Sequence, residues 1–471
     1  MKTFKINNLL IIALGVGMLS SCSVSKKYER TELNMPQRYR NQITVTADSV
    51  QLPWKRFFRE PMLISLLEKA LQRNNEIAIA LKNTEQLDLA LKQAKQALLP
   101  TVDLSIGANR TWQSKNSLNG SLSGQIVSTP YIDDYGANLR LSWEADIWGK
   151  AKMQKAAASA NYFAQQENLS ALKTRIIVQV AQAYYRLISL DEQLLIAQKN
   201  VELSDSTLNM MKLQFDAGQV NSLAVEQMEA QKKTAELLVP LALQNIAIEE
   251  NALSILCGSY PDKVEREGNL SRISPEGVFG AGVPAELISR RPDVKAAEYA
   301  AIVANANTGL ARAAMYPSLS LTPQIGLNSF KFNKWFDLPG SITKTLAGNL
   351  TQPLFQKRAL KTAYESAVLE QEKAVLQFKQ TVLVAVGEVS DALARTHGAD
   401  ERLMLIRKKD RALAKATDDA LKLYRSGMAT YLDVITAQNN KLQNDLEFIN
   451  VRLESLNATT DLYRSLGGGI N

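Results

Sequence analysis

The sequence predicts an α+β membrane protein whose protomer is a tandem repeat and whose strands close into a β-barrel only when several chains assemble. Two observations favour this class. Two stretches of about 200 residues follow the same order of helix, alternating strand pair and long helical hairpin. After residue 21, no apolar segment approaches the roughly 20 residues of a membrane-spanning helix, so strands must make any membrane crossing.

The beginning of the chain has the features of an exported protein. Lys2 and Lys5 precede a short apolar run from Leu9 to Leu19, a pattern typical of a secretory signal peptide. The run closes on Leu-Ser-Ser-Cys, which resembles the lipobox of bacterial lipoproteins. That resemblance implies cleavage before Cys22 and a covalent lipid on its thiol. The alternative is an ordinary signal peptide followed by an incidental cysteine.

Composition argues against several classes of function. The formal charge of +8 falls to about +6 without residues 1–21, and the charges are interspersed, so no nucleic-acid groove is expected. The single histidine, His397, cannot build a His/Cys metal site, and no catalytic or phosphate-binding motif occurs. We therefore predict neither an enzyme nor a cofactor other than the lipid, and we expect Cys257 to be a small buried side chain.

The two copies align at defined segments. Asn75 and Pro100 are 25 residues apart, as are Pro292 and Pro317. The segment FDAGQVNSLAVEQ (215–227) aligns without a gap with YRSGMATYLDVIT (424–436). The predicted organisation is a signal peptide (1–21), a lipid-anchored N-terminal segment (22–59), repeat 1 (60–260), a linker (261–283) and repeat 2 (284–471).

Each copy opens with a helix and continues with a strand pair. The helices are predicted at about 60–98 and 284–316, and a proline ends each one. Strict alternation follows at about 101–147 and 318–352, in runs of about ten residues, the length of a tilted membrane-spanning strand. In the first run the apolar face is Val102, Leu104, Ile106 and Ala108, and the polar face is Asp103, Ser105, Gly107 and Asn109.

The segments between paired strands, 113–135 and 331–341, are predicted to be exposed loops. Trp335 and Phe336 are aromatic residues suited to a membrane interface. A half-buried soluble hairpin is the alternative for each strand pair. The polar faces and the equal lengths of the runs favour strands that line a wet lumen.

A long helical hairpin completes each copy. Residues 151–214 contain neither proline nor glycine and would reach roughly 95 Å as a helix. Residues 359–424 match them in length and are interrupted only by Gly387 and Gly398. The predicted tips are 215–224, with Gly218, and 424–433, with Gly427, and the chain returns through 224–256 and 433–466.

The number of strands requires an assembly. Four strands cannot close a barrel, and an open sheet edge in lipid leaves backbone groups unpaired. Two chains would supply eight strands around a filled interior, and three would supply twelve around an open lumen. The polar inner faces favour the lumen, so the sequence predicts a homotrimer with a twelve-stranded barrel.

Several motifs together resemble one family over essentially the whole mature chain. The sequence is similar to the TolC-like outer membrane factors, in the lipoprotein branch of the resistance-nodulation-division efflux channels. The segments that carry the resemblance are LPWKRFF (52–58), SWEADIWGK (142–150), LISRRPDVKAAE (287–298), ARAAMYPSLSL (311–321), QPLFQKR (352–358) and YRSGMATYLDVITAQ (424–438).

The resemblance implies a trimeric outer-membrane β-barrel continued by a long periplasmic α-helical barrel, with the linker 261–283 in an equatorial belt. It also implies a passive duct of a tripartite multidrug efflux pump, gated at its periplasmic end, with a periplasmic adaptor protein and an inner-membrane pump as partners. Gly218 and Gly427 would be the adaptor-docking tips. Tyr424, Arg425, Leu432 and Asp433 would form the periplasmic gate.

Two positions depart from the pattern that the resemblance leads us to expect. Ala224 and Thr436 stand where acidic residues occur in the family, so electrostatic control of the tip would depend mainly on Asp433. The alternative for Leu432 and Asp433 is packing inside the hairpin and capping of the returning helix. Two further functions remain open: the outer-membrane component of a type I protein secretion system, and a periplasmic helical scaffold without a pore.

Overall fold

The computed structural model describes residues 24, 26–40, 53–114, 116–118, 129, 131–275 and 284–469. The predicted signal peptide (1–21) and Cys22 lie outside the described residues. The chain divides into a sheet unit (Met1–Thr31, Glu85–Phe163 and Glu298–Leu376) and a hairpin unit (Glu32–Thr84, Ala164–Ala297 and Gln377–Asn471). None of the described helices has both the length and the apolar character needed to cross a bilayer.

The two copies contain matching elements. The first has helices α1 (Trp54–Phe57), α2 (Pro61–Arg73) and α3 (Asn75–Lys95), strands β1 (Thr101–Thr111) and β2 (Ile132–Glu144), and helices α4 (Lys150–Asp216) and α5 (Ser222–Leu256). The second has short helix α6 (Leu287–Arg290), helix α7 (Pro292–Ala313), strands β3 (Ser318–Ser329) and β4 (Ile342–Thr351), and helices α8 (Ala359–Arg425) and α9 (Tyr431–Ser465). Helices α4 and α8 each have 67 residues, and α5 and α9 each have 35.

The predicted single helix over 60–98 is wrong, because Asn74 divides it into α2 and α3. Asn74 adopts an extended conformation, and its Oδ1 accepts hydrogen bonds from the backbone N–H groups of Glu76 (2.9 Å) and Ile77 (3.2 Å). These bonds cap the start of α3. Its Nδ2 donates to the carbonyl of Leu256 (2.9 Å), which ties the break to the end of α5.

The predicted single helix over 284–316 is wrong as well, because it breaks at Arg291 before α7. Arg291 is 4% exposed, and its guanidinium binds both carboxylate oxygens of Asp293 (3.0 and 2.6 Å). It also contacts Glu388 on α8 (2.7 Å) and the carbonyl of Ser465 on α9 (3.2 Å). Burial raises the pKa of Asp293, but the guanidinium of Arg291 outweighs this effect and holds the pKa below its usual value.

The four strands form one antiparallel sheet in the order β1-β2-β3-β4. Leu104 pairs with Leu139, and Leu139 pairs with Ile325, so the alternating apolar residues share one face. That face is open in the single chain, since Leu104 is 68% exposed. Within the described residues, β1 and β4 each pair with one strand, and both are therefore edges of the sheet.

The segment between β3 and β4 is largely exposed, as predicted, except at Trp335 and Ser341. Trp335 is 9% exposed and packs against Tyr135 and Phe332, with ring centroids 5.9 and 6.0 Å apart. Phe336 is exposed, as expected. The structure therefore uses Trp335 to hold the loop against β2, and leaves Phe336 at the surface.

The principal core of the hairpin unit lies between the helices of both copies. Its centre is a run on α4 that includes Ile176, Tyr184 and Leu187, each almost fully buried. Cys257 lies in the same core, as predicted, and burial raises the pKa of its thiol. Gly387 and Gly398 lie inside the continuous helix α8, so neither interrupts it.

Candidate functional site at the hairpin tips

Each long hairpin turns at a glycine in the left-handed region of backbone space. Gly218 has φ +69° and Gly427 has φ +72°, a conformation that a side chain would strain. No atom lies within 4 Å of the position that a Cβ would take at either glycine. The two glycines are therefore required by the turns and not by close packing within the chain.

The returning helices are capped differently. At the second tip, Thr430 Oγ1 accepts from the backbone N–H of Asp433 (3.3 Å), and Asp433 Oδ2 accepts from the backbone N–H of Thr430 (2.8 Å). These reciprocal bonds form a capping box. At the first tip, Asn221 Oδ1 accepts from the backbone N–H of Ala224 (3.1 Å), and Ala224 has no group to return the bond.

Ala224 and Asp433, which occupy equivalent positions in the two tips, lie in different environments. Ala224 is fully buried, whereas Asp433 is exposed. Hydrogen bonds from the side chain and backbone of Thr430 lower the pKa of Asp433, so the carboxylate stays ionised at neutral pH. The loss of an acid at Ala224 is thus compatible with the burial of that position.

The two tips are joined by side-chain contacts. Tyr424, in the last turn of α8, is 8% exposed and donates a hydrogen bond from its hydroxyl to Gln214 Oε1 in the last turns of α4. The same hydroxyl lies 3.2 Å from the sulfur of Met211. Tyr431 Oη donates to Gln227 Oε1 (2.7 Å), which joins the two returning helices.

An apolar cluster supports these bonds. We call it the tip cluster, and its buried members are Leu208, Met211, Met228, Tyr424 and Val434. Beside it lies a cleft of about 670 Å³ whose lining includes Tyr424, Arg425, Gly427, Gln214 and Ala224. Residues of both turns therefore line one cleft, and Arg425 is among them.

The four predicted gate residues differ in their contacts and in their exposure. Tyr424 joins the two copies, and Asp433 caps a helix, which was one of the alternatives for that residue. Arg425 is exposed, and Leu432 is 52% exposed, so Leu432 does not pack inside its hairpin. Cys22, the predicted lipidation site, lies outside the described residues.

Sequence reasoning missed Gln214, the partner of Tyr424. A signal was present, because Gln214 is the last of four polar residues spaced seven apart on α4, at 193, 200, 207 and 214. Such spacing places side chains along one face of a long packed helix. A polar stripe on that face indicates a contact with something other than an apolar core.

The chain matches known proteins over most of its length. The profile of the outer membrane efflux protein family matches residues 66–259 and 283–468. The solvent efflux pump outer membrane protein SrpC of Pseudomonas putida is 30% identical over 473 residues, which cover 96% of each chain. The probable outer membrane lipoprotein SilC of Salmonella typhimurium is 26% identical over 475 residues, which cover 99% of each chain.

Solved structures have the same fold. The open state of the Neisseria gonorrhoeae MtrE outer membrane channel superposes with a TM-score of 0.85 at 26% identity, covering 96% of this chain and 99% of that one. The Campylobacter jejuni CmeC outer membrane channel superposes with a TM-score of 0.87 at 23% identity, covering 95% of each chain.

These matches confirm the predicted fold class, that of a tandem-repeat protomer of the trimeric TolC-like channels. They also confirm the predicted function, the outer-membrane channel of an efflux pump, and the predicted location in the outer membrane. The chain belongs to the outer membrane efflux protein family.

Proposed function

We propose that this chain forms a passive exit duct that is held closed, at rest, by contacts between its two hairpin tips. The hydrogen bond from Tyr424 to Gln214 is the observation that carries the proposal, because it joins the two copies at their turns. The tip cluster adds apolar contacts around the same bond. Opening requires the Tyr424–Gln214 bond and the contacts of the tip cluster to be broken, so the tips behave as a latch. The duct catalyses no reaction.

Arg425, Leu432 and Asp433 complete the proposed gate. All three are exposed in the single chain and lie beside the second turn. In a trimer, three copies of Leu432 would form an apolar constriction, which can gate by dewetting. Three copies of Asp433 would form an acidic ring that favours cations.

We propose a homotrimer in which the sheets of three chains close into one barrel. The edge strands β1 and β4 support this, since open edges leave backbone groups unpaired in lipid. Exposed leucines also support it. Leu369, Leu376 and Leu383 are spaced seven apart on α8, and all are more than 60% exposed in the single chain. Heptad spacing of this kind suits packing against a helix of the next copy.

We propose a covalent lipid on Cys22, which lies outside the described residues and precedes a segment that packs on α7. The carbonyl of Val24 accepts a hydrogen bond from Arg312 near the end of α7 (3.3 Å). Arg30 then pairs with both carboxylate oxygens of Glu298 (2.6 and 2.7 Å), so the segment runs antiparallel to α7. Helix α7 leads into β3, so the described part of this segment lies along the helix that enters the sheet.

A periplasmic adaptor protein and an inner-membrane pump are the proposed partners. The glycine turns support docking, because Gly218 and Gly427 leave open space around the backbone of both tips. The names of relatives refer to solvents, toluene, cations and pyoverdine. Because cargoes of such different chemistry use one fold, we propose that the pump selects the cargo and the duct admits it.

The duct is tested by two measurements on the purified full-length protein. Heat-resistant trimers on gels and stepwise conductance in planar bilayers are expected. Monomers without conductance would instead indicate a periplasmic scaffold, and export of a protein substrate without drug efflux would indicate type I secretion. Labelled palmitate should be incorporated by the wild type and lost in Cys22→Ala; label that persists would contradict the lipid assignment.

A further inference from the structure

A lysine lies on the apolar face of the sheet. Ile325, which shares this face with Leu139, pairs with Lys344 on β4. The other residues of β4 on the same face are Ile342, Leu346, Gly348 and Leu350. Lys344 is exposed, and its ammonium forms no hydrogen bond or ion pair with the residues that the structure describes. A free positive charge therefore stands among apolar side chains.

The opposite face of β3 and β4 is polar. Its members include Ser320, Thr322, Gln324, Thr343, Thr345 and Asn349. In a membrane barrel with a water-filled interior, the apolar side chains face the lipid and the polar ones face the interior. Because the chain is an outer-membrane channel, Lys344 lies on the side that faces the lipid.

The other cation on the apolar face is neutralised within the chain. Arg110 pairs with Asp133 across β1 and β2, and its guanidinium binds both carboxylate oxygens (2.6 and 2.8 Å). Its Cζ also lies 3.9 Å from the ring centre of Tyr131. The comparison shows that this face can hold a cation when an anion accompanies it, and Lys344 has no such anion in its own chain.

A neighbouring copy would not supply the missing anion. In the proposed trimer, β4 pairs with β1 of the next chain. The residues of β1 on the apolar face are Val102, Leu104, Ile106, Ala108 and Arg110, and none of them is acidic. Residues 112–131, between β1 and β2, contain neither aspartate nor glutamate. Between β3 and β4 the one acid is Asp337, whose carboxylate already accepts a bond from Lys334 (3.2 Å).

Aromatic residues lie on the same side of the sheet, beyond Lys344. Tyr135 pairs with Ser329 on the apolar face, and its ring centroid lies 5.5 Å from that of Phe332. Trp335 joins this group, and Phe336 lies 4.9 Å from Trp335 and is 68% exposed. Aromatic residues of this kind collect at the boundary between membrane and water. They therefore indicate the level of the lipid head groups of the outer leaflet.

Lys344 begins a short way below that level. Its partner Ile325 precedes Ser329 by four residues, which is about 13 Å along a strand. A strand tilted by about 40° converts this length into about 10 Å of depth. The flexible stem of a lysine lies along apolar surface while its ammonium extends toward the boundary. A head group that settles toward Lys344 can meet the ammonium there.

The charge of this hairpin is complementary to an anion. Residues 318–351 contain three lysines and one aspartate, so their formal charge is 3 − 1 = +2. A lysine on the lipid face costs about 2–4 kcal/mol at the middle of the bilayer and about 0–1 kcal/mol near its boundary. A phosphate beside the ammonium offsets this cost, and lipid head groups carry phosphate at the required depth.

We propose that Lys344 binds the phosphate of an anionic lipid in the outer leaflet of the membrane. Ile342 and Leu346, on either side of Lys344 on the same face, contact the acyl chains of that lipid, and Phe336 lies beside its head group. A trimer has three such sites. This inference goes beyond the proposed duct and does not depend on the gate at the tips. It rests on the proposed homotrimer for the number of sites.

Native mass spectrometry of the full-length trimer tests the site, and it reports separately whether trimers form. The wild type should retain diphosphoryl lipid A in preference to phosphatidylcholine. Lys344→Gln should weaken the retention of lipid A about fivefold, which corresponds to about 1 kcal/mol for one lysine at a lipid surface. Lys408→Gln removes the same charge from an exposed position on α8 and should retain lipid A as the wild type does. Equal retention by trimers of Lys344→Gln and of the wild type would overturn the proposal.

Lys344→Leu distinguishes a lipid site from a charge that the membrane merely tolerates. In nanodiscs of phosphatidylcholine, trimers of this variant should dissociate at the wild-type temperature or above it, because a charge has left the apolar face. Added lipid A should raise the dissociation temperature of the wild type and raise that of Lys344→Leu much less. An equal rise in both would show that the lipid binds elsewhere. A rise produced by inorganic phosphate in phosphatidylcholine nanodiscs would also contradict the proposal, since free phosphate would then be the ligand.

Discussion

Tyr424 and Gln214 are hydrogen-bonded across the tips of the two repeats, so the ends of the two 67-residue helices are joined within one chain. Burial raises the pKa of Tyr424, which keeps its hydroxyl protonated as a donor throughout the physiological range. The bond is thus insensitive to ordinary changes of pH.

Tyr424→Phe should raise conductance. The change removes one hydroxyl and keeps the ring that packs in the tip cluster. Loss of a hydrogen bond of about 1 kcal/mol would shift the closed-to-open ratio roughly fivefold in each protomer. Single-channel recording measures the shift, and Tyr260→Phe, at a tyrosine that is 93% exposed and lies outside the tips, is a matched control for the loss of a hydroxyl. An unchanged open probability in Tyr424→Phe would show that this bond does not help to hold the channel closed.

Gly427→Ala and Gly427→Trp distinguish backbone strain at the turn from a loss of adaptor docking. Both variants place a Cβ at φ +72°, which costs about 1 kcal/mol, and neither meets an atom of this chain near that Cβ. Only Trp adds bulk to the surface proposed for the adaptor. Efflux should fall in Gly427→Trp and stay near the wild-type level in Gly427→Ala, and both variants should form intact trimers. Equal efflux in the two variants would argue against docking at this turn.

Asp433→Asn should lower the preference for cations with little loss of folded trimer, because the amide oxygen of Asn can still accept a bond from Thr430. The lowered pKa of Asp433 fixes the pH dependence. Its stabilising effect on the tip is present above the unfolded value of about 4, and is lost as pH falls through the lower folded value. Cation selectivity in bilayers should therefore be constant from about pH 7 to pH 5 and fall only below about pH 4. Selectivity that declines between pH 7 and pH 5 would point to another group.

Arg291→Met should destabilise the protein by about 3–5 kcal/mol, because it leaves Asp293 and Glu388 without their buried partner. Arg291→Lys should rescue little, since a lysine cannot make the two parallel bonds to Asp293. Thermal dissociation of the trimer measures both variants. A lysine variant with wild-type stability would show that only the charge is needed. Conversely, Arg290→Met alters an arginine outside this buried contact with Glu388 and should have a small effect.

The order and length of the elements could be predicted because the repeat shows each pattern twice. The breaks at Asn74 and Arg291 could not be predicted from periodicity, which continues across both of them. At Asn74 the decisive contact is with Leu256, 182 residues away. At Arg291 the decisive partners are Glu388 and Ser465. Contacts of this kind depend on how helices pack and are not contained in a local pattern. The second break nevertheless had a local signal, because Pro292 follows Arg291 and proline can begin a helix but not continue one.

The positions of the two tips could be predicted from the sequence, but the contacts made there could be predicted only in part. Glycine in a loop between long helices predicted the turns at Gly218 and Gly427, since φ is positive at both. The role of Asp433 as a cap was visible in the sequence as Thr430 followed by an acid three residues later. The exposure of Leu432 and the bond from Tyr424 to Gln214 depend on contacts between the two hairpins; the polar spacing on α4 marked Gln214 but did not identify its partner.

The equal lengths of the paired helices restrict how the two copies can diverge. An insertion of one residue in α4 alone would rotate its buried face by about 100° and move Gln214 away from Tyr424. Substitutions such as the alanine at 224 change chemistry without altering this alignment. Natural relatives should therefore accept many substitutions in either copy, whereas insertions and deletions in the hairpins should occur in multiples of seven and in both copies together. After the duplication, the helix lengths of each copy are therefore constrained by the helix lengths of the other.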